Sequence, residues 1–254
     1  MPNKYKMKIV AIIPARYAST RFPGKPLVSI KGKTMICRVF EQVSKAIDTV
    51  FVATDDNRIE SEVKKFCGNV VLTSEFHQSG TDRCAEAVVK IQKLLNIEFD
   101  IVINVQGDEP FIHPNQISSI ISAFENKSTQ IATLAKKIEN SDELSNPNVV
   151  KLVLNNKNEA IYFSRSSIPY VREVENREDI NKHQFYKHIG LYGYSKNTLL
   201  ELTKLDQTPL EIVESLEQLR WIENDYKIKV SLTEHESISI DTKDDLEILL
   251  ENHL

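Results

Sequence analysis

The chain has 254 residues, 41% of them hydrophobic, and a formal net charge of −4. That length buries a sizeable core in one large domain or two small ones, and the charge excludes a global basic field for holding nucleic acid or an anionic membrane. No apolar run approaches the roughly 20 residues needed to span a bilayer, so neither nucleic acid nor a membrane is expected as a partner. The polar, basic start from Met1 to Lys8 lacks the apolar stretch of a signal peptide, and residues 1–6 read as a dispensable extension. Cys37, Cys67 and Cys84 match neither C-x-x-C nor a zinc spacing; they read as buried free thiols in a reducing cytoplasm.

In chain order, Ile9 to Ile13 is a continuous apolar run ending at Pro14, the pattern of a strand buried on both faces. Ile36, Val39, Phe40 and Val43 recur at helical spacing. Val50 to Ala53 predicts a second buried strand, Ile59, Val63 and Phe66 a helix, and Val70 to Leu72 a strand. Residues 82–95 read as a helix, Ile101 to Val105 as a strand, and Ile117, Ile120, Ile121 and Phe124 as a helix with Pro114 in its first turn. This alternation predicts an α/β protein with a mostly parallel sheet and helices on both faces. The second half is richer in strands, at 131–136, 149–154, 159–163 and 189–195. Ile212, Leu216, Leu219 and Ile222 then predict one helix, 228–232 and 237–240 strands, and Thr242 with Asp245 the cap of a last helix. The expectation is a single domain over 1–254 with an antiparallel insertion at roughly 131–195.

Ligands of open α/β sheets collect beyond the carboxyl ends of the strands. Three polar segments fall there: 14–26, 106–110 and 241–242. The first places Arg16, Arg21 and Lys25, with the hydroxyls of Ser19 and Thr20, around Gly24. Fixed cations, hydroxyl donors and close backbone amides are what a polyphosphate needs, although the loop is neither G-x-x-x-x-G-K-[ST] nor G-x-G-x-x-G. A solvated basic loop is the competing reading. Asp108, in Gln106-Gly107-Asp108-Glu109-Pro110, is placed to hold a metal against phosphates or to sit in a solvated turn. Asp241 reads as a metal ligand or as an N-cap. His77 to Arg83 fits a ligand site or a helix cap.

Read together, these segments resemble the 3-deoxy-manno-octulosonate cytidylyltransferases, or CMP-Kdo synthetases. The resemblance lies in Ile13-Pro14-Ala15-Arg16-Tyr17-Ala18-Ser19-Thr20-Arg21 with Pro23-Gly24-Lys25-Pro26-Leu27, in His77-Gln78-Ser79-Gly80-Thr81-Asp82-Arg83, and in Asn104 to Pro110. Ile161 to Pro169, His188 to Tyr194 and Ile240-Asp241-Thr242 extend it over nearly the whole chain. Phe22 stands where leucine is common in that family, and Lys243 where proline is often found.

The resemblance implies a Rossmann-like nucleotidyltransferase fold whose antiparallel insertion serves dimerisation and sugar binding. It implies transfer of CMP from CTP to an octulosonate sugar acid for lipopolysaccharide synthesis, with release of pyrophosphate, in a homodimer. Arg16, Ser19, Arg21 and Lys25 are then the phosphate-binding residues, and Asp108 and Asp241 the ligands of Mg2+. Gln78, Ser79, Gly80, Arg83 and Gln106 surround the nucleotide, while Gln106, Arg165, His188, Tyr192, Glu217 and Gln218 take the sugar. Arg165 on residue type alone is equally an ordinary ion-pair partner, and His188 and Tyr192 equally structural. Three other readings remain open: the same reaction on the 8-amino analogue of the sugar, the same reaction on a sialic acid, and a nucleotide sensor without catalysis.

Overall fold

The computed structural model describes residues 6–18, 21–172, 183–236 and 239–252. In chain order the elements begin β1 (Ile9–Ala15), β2 (Ser29–Ile30), β3 (Lys33–Thr34), α1 (Met35–Ser44), β4 (Val50–Thr54), α2 (Asn57–Lys65) and β5 (Val70–Leu72). They continue with α3 (Gly80–Leu95), β6 (Ile101–Asn104), α4 (Pro114–Ala123), β7 (Ile131–Lys137), α5 (Ser141–Ser145), β8 (Lys151–Leu154), β9 (Ala160–Ser164) and β10 (Tyr186–Ser195). The last are α6 (Lys196–Leu202), α7 (Pro209–Glu214), α8 (Glu217–Glu223), β11 (Ile228–Leu232) and α9 (Lys243–Asn252). The fold is α/β on a mostly parallel mixed sheet with flanking helices, as the alternation predicts.

The chain divides into two compact units. The first takes in residues up to Ser118, Tyr194–Thr203 and Ser237 onward. Its strands lie in the order β6, β1, β4, β5, all parallel. Val10 to Ile13, Val52, Ala53, Val102 and Ile103 are fully buried, which accounts for the unbroken apolar runs. β1 continues two residues beyond the predicted end. Pro14, which cannot donate to a ladder, is tolerated because β6 pairs with β1 only as far as Ile12.

The second unit spans Ser119–Gly193 and Lys204–Glu236. It is larger than an insertion at 131–195, because β11 pairs in parallel with β7 and draws residues 204–236 into the same body. β8 is antiparallel to both β9 and β10, so the antiparallel character expected here is present.

Three local expectations need correction, and two helices went unpredicted. The helix predicted through Ile212, Leu216, Leu219 and Ile222 is two helices. Ser215 adopts a left-handed conformation (φ 53°) between α7 and α8, which leaves Ile212 outward and 61% exposed. Glu211 and Arg220 fold toward each other across that break in a bidentate pair, so the amphipathic pattern conceals a buried ion pair. Residues 239 and 240 are not strand: Ile240 makes one backbone bond, to Asp108, and 237 and 238 lie outside the described residues. Cys67 is exposed at a positive φ of 60° after α2, whereas Cys37 and Cys84 are buried. Lastly, α5 and α6 carry too few periodic apolar positions to stand out in the sequence.

Candidate active site

The basic loop, the acidic turn and the start of α9 meet over one apolar cluster. Phe22, Ile30, Met35, Ile240 and Leu249 are buried together, with Phe111, Val28 and Leu246 against them. Each polar segment thus has an apolar anchor beside its charged residue: Phe22 beside Arg21, Phe111 after Asp108, Ile240 before Asp241. Burial of the anchors fixes the charges at the surface.

Two glycines shape this junction. Gly24 has φ 73°, which a side chain rarely adopts, and its amide donates to Tyr17 O at 3.0 Å to close the loop. At Gly107 a Cβ would stand 2.8 Å from the carbonyl oxygen of Pro14. No other residue lets the ends of β1 and β6 approach so closely.

Asp108 and Asp241, far apart in sequence, share one cation. Lys25 Nζ donates to Asp108 Oδ2 at 2.6 Å and to Asp241 Oδ1 at 3.1 Å, and its side chain is only 12% exposed. Arg21 Nη2 lies 3.3 Å from Asp241 Oδ2. The Ile240 amide donates to Asp108 O at 3.0 Å and so sets Asp241 beside the acidic turn. Asp241 is not the cap of α9. Thr242 Oγ1 accepts the Asp245 amide, and the Asp245 carboxylate accepts the amides of Asp241 and Thr242. Burial tends to raise the Asp245 carboxyl pKa, and these donors outweigh it and bring it below its ordinary value. The capping work falls to Thr242 and Asp245, so the Asp241 carboxylate faces Lys25 and Arg21.

A cavity of about 300 Å³ opens at this point, entirely within the first unit. Arg16, Arg21, Lys25, Gln78, Ser79, Gly80, Arg83, Gln106, Asp108 and Asp241 all line it. Every first-unit residue assigned from sequence is therefore brought together, except Ser19, which lies outside the described residues. Ser79 both lines the cavity and caps α3: its Oγ accepts the Asp82 amide at 3.1 Å, and the Asp82 carboxylate accepts the Ser79 amide. The cap is realised, and it lies at the edge of the cavity. Arg83 is buried; it donates to Thr73 Oγ1 at 2.6 Å and to Asp55 Oδ2 at 3.3 Å. His77 also lines the cavity.

No group of three or more His, Cys, Asp or Glu side chains suited to a metal occurs among the described residues. Two carboxylates on one cation are nevertheless the donor set for a divalent ion that takes its remaining oxygens from phosphate and water. Asp108 and Asp241 fit that role.

The remaining assigned residues cluster in the second unit. His188 packs edge-on against Phe163 (5.2 Å between centroids) and beside Tyr192 (5.3 Å), and Tyr192 packs edge-on against Trp221. Thr133 Oγ1 lies 3.0 Å from His188 Nε2 and donates to Leu191 O at 2.9 Å. Withdrawal from water lowers the His188 pKa to about 3, so the ring is neutral at physiological pH. Burial, and next the negative charge of Glu217, push the Tyr192 hydroxyl well above its usual value. His188, Tyr192 and Glu217 thus form one group, and Gln218 is buried on α8. Arg165 is held by backbone: Nε donates to Glu214 O at 2.8 Å, one terminal nitrogen to Pro147 O and the other to Ser215 O. It is not the surface ion pair its residue type allowed. Two of its five N–H groups remain for another acceptor.

Several residues of these sites went unnoticed in the sequence. Asp55 and Thr73 accept from Arg83, and Glu86 contacts His77; Thr133 supports His188, and Glu214 accepts from Ser164 Oγ at 2.6 Å and from the Arg165 amide at 2.9 Å. Of these only Glu86 left a signal, since it shares a helix face with Arg83.

A cationic loop and a converging acidic pair at the strand ends of a parallel α/β sheet define a nucleotidyltransferase. Residues 10–229 match the cytidylyltransferase family. A 3-deoxy-manno-octulosonate cytidylyltransferase of Parabacteroides distasonis is 58% identical over 245 residues, covering 95% of this chain and 96% of the relative. One of Bacteroides thetaiotaomicron is 54% identical, covering 94% and 96%. A solved CMP:2-keto-3-deoxy-manno-octonic acid synthetase complexed with CTP superposes with a TM-score of 0.87 at 38% identity, covering 96% of this chain and 97% of that one. The chain belongs to the 3-deoxy-manno-octulosonate cytidylyltransferase family and is an enzyme of the nucleotidyltransferase class.

Proposed function

We propose that the chain joins CTP to 3-deoxy-D-manno-octulosonate, giving the CMP-sugar and pyrophosphate, a step that activates the sugar for lipopolysaccharide synthesis. The observation that carries this reading is the pairing of Asp108 and Asp241 on Lys25, inside a cavity also lined by Arg16 and Arg21. The anomeric hydroxyl of the sugar attacks the α-phosphorus and loses its proton to solvent, the bond from that phosphorus to the bridging oxygen breaks, and pyrophosphate leaves. Arg16, Arg21 and Lys25 bind the phosphates, and their charge opposes the negative charge that grows on the leaving group. Asp108 and Asp241 are the residues that would hold Mg2+, which would supply positive charge against the polyphosphate. The loop and the acidic turn orient the reactants, so proximity supplies much of the acceleration.

Gln78, Ser79, Gly80, Arg83 and Gln106 border the nucleotide. The sugar is assigned to Arg165, His188, Tyr192, Glu217 and Gln218 of the second unit, and Gln106 is assigned to both substrates. Neutral His188 and the protonated Tyr192 hydroxyl suit sugar hydroxyls better than anions, and the spare N–H groups of Arg165 suit the sugar carboxylate.

The working unit is proposed to be a homodimer. Supporting this, Ile161, Tyr170, Ile212 and Val213 of the second unit are more than half exposed. A reducing cytoplasm is the proposed compartment, consistent with the three free thiols. Among the described residues no helix is long and apolar enough to cross a membrane.

Pyrophosphate release, measured with CTP, UTP and ATP against 3-deoxy-D-manno-octulosonate, its 8-amino analogue and a sialic acid, tests the reading. Release is expected with CTP and the octulosonate at the highest kcat/KM. Preference for the amino sugar would move the assignment to that substrate, and no release with any sugar would leave the sensor reading.

A further inference from the structure

Helix α3 turns three polar side chains, Arg83, Glu86 and Lys90, onto one face, at i, i+3 and i+7. Each grips the segment that leads from β5 into the cavity. Arg83 donates to Thr73 Oγ1, and Lys90 Nζ donates to Leu72 O at 2.8 Å. Glu86, between them, accepts the Ser74 amide at 2.9 Å, pairs with Lys90 at 2.6 Å and contacts Nε2 of His77. His77 and Arg83 of this set line the cavity, together with Gln78 and Ser79.

We infer that Glu86 is a positioning residue of the nucleotide site, acting by fixing the His77 imidazole so that Nδ1 is offered to a hydrogen-bond donor of the bound nucleoside. The inference rests on the cytidylyltransferase reading. Burial tends to raise the Glu86 pKa, but the bonds from Lys90, Ser74 and His77 outweigh it and bring it to about 2. Glu86 is therefore a carboxylate at working pH and can only accept hydrogen bonds. Nε2 of His77 must carry the proton of that contact, and in the neutral ring Nδ1 is left as the acceptor. A nucleoside has two kinds of donor for it: the ribose hydroxyls and, in cytosine, the exocyclic amino group. Uracil has a carbonyl at that place, so an acceptor aimed at the base would favour CTP over UTP.

The test uses the full-length enzyme, its E86Q and H77N variants and the double variant. In ring-15N spectra of the wild type, His77 is expected as the Nε2–H tautomer, with the Nδ1 resonance moving when CTP is added. The side-chain amide that E86Q introduces can donate to Nε2, so this variant is expected to shift the tautomer. KM for CTP should rise about tenfold, the value of one ordinary hydrogen bond, with kcat within about twofold. H77N should match that rise, and the double variant should be no worse than H77N, because the two residues act as one. A ribose contact predicts that the rise disappears with 2′- or 3′-deoxy-CTP; a base contact predicts reduced discrimination between CTP and UTP. Should E86Q fail to fold, H77N and the wild-type tautomer carry the test. An Nδ1–H tautomer or a doubly protonated His77 ring in the wild type, or variants with unchanged KM in an enzyme that turns over CTP, would overturn this inference alone. A wild type that turns over no CTP would overturn the proposed function as well.

Discussion

The two units use polar groups in opposite ways. In the first, apart from the buried Arg83, charge stands around a cavity: Arg21 is mostly exposed, and Lys25 bridges two carboxylates that line it. In the second, polar groups are withdrawn from water: His188 is neutral among aromatic rings, and Glu211 with Arg220 is sealed between two short helices. A polyphosphate requires fixed charge and tolerates solvent, whereas discriminating among sugar hydroxyls favours neutral donors and acceptors held rigidly. The contrast separates activity from stability. Changes in the first unit should lower turnover and leave folding largely intact; changes in the second should affect folding as well.

The largest effect is expected at Asp108. D108A should lower kcat by roughly 100-fold or more, read as pyrophosphate release, with the urea midpoint close to that of wild type. Next comes R220A, which strands the buried Glu211 carboxylate. It should destabilise the fold by about 3 kcal/mol, measured by urea unfolding. If R220A lost activity without stability, or D108A lost stability first, the contrast would be broken.

His188 sharpens it through pH. Its folded pKa of about 3 lies below the ordinary histidine value of about 6.5. The unfolded chain therefore binds a proton that the folded chain refuses between those values. The stability contributed by the neutral ring is complete above about pH 6.5 and is lost as pH falls toward 3. H188Q should flatten the stability slope in that window, as measured by urea midpoints from pH 4 to 7. The smallest effect on chemistry is expected from V213D on exposed α7. It should shift sedimentation toward the monomer while folding stays within about 0.5 kcal/mol of wild type.

The same contrast governs what the sequence made legible. Apolar runs revealed β1, β4 and β6 because both faces of those strands are buried, and the basic loop was visible because Arg16, Arg21 and Lys25 lie within one short segment. The convergence of Asp108 with Asp241 was not visible. It depends on the apolar cluster of Phe22, Ile30 and Ile240 and on one backbone bond between distant segments. The second unit was harder to read for the same reason. Thr133 and Glu214 act through partners 49 to 58 residues away, and Glu211 on an amphipathic helix looks solvent-facing until Ser215 breaks that helix. Periodicity reports which face is apolar; it does not report which polar residue pairs across a turn.

The central claim is that Asp108, Asp241 and the basic loop form one site for CTP and its metal. Titration of the wild type and a D108N/D241N variant with CTP and Mg2+ together, followed by 31P NMR, tests it most directly. The account predicts that the CTP phosphate resonances shift and, after addition of 3-deoxy-D-manno-octulosonate, give way to those of a CMP phosphodiester and pyrophosphate in the wild type alone. Equal conversion by the variant would contradict it.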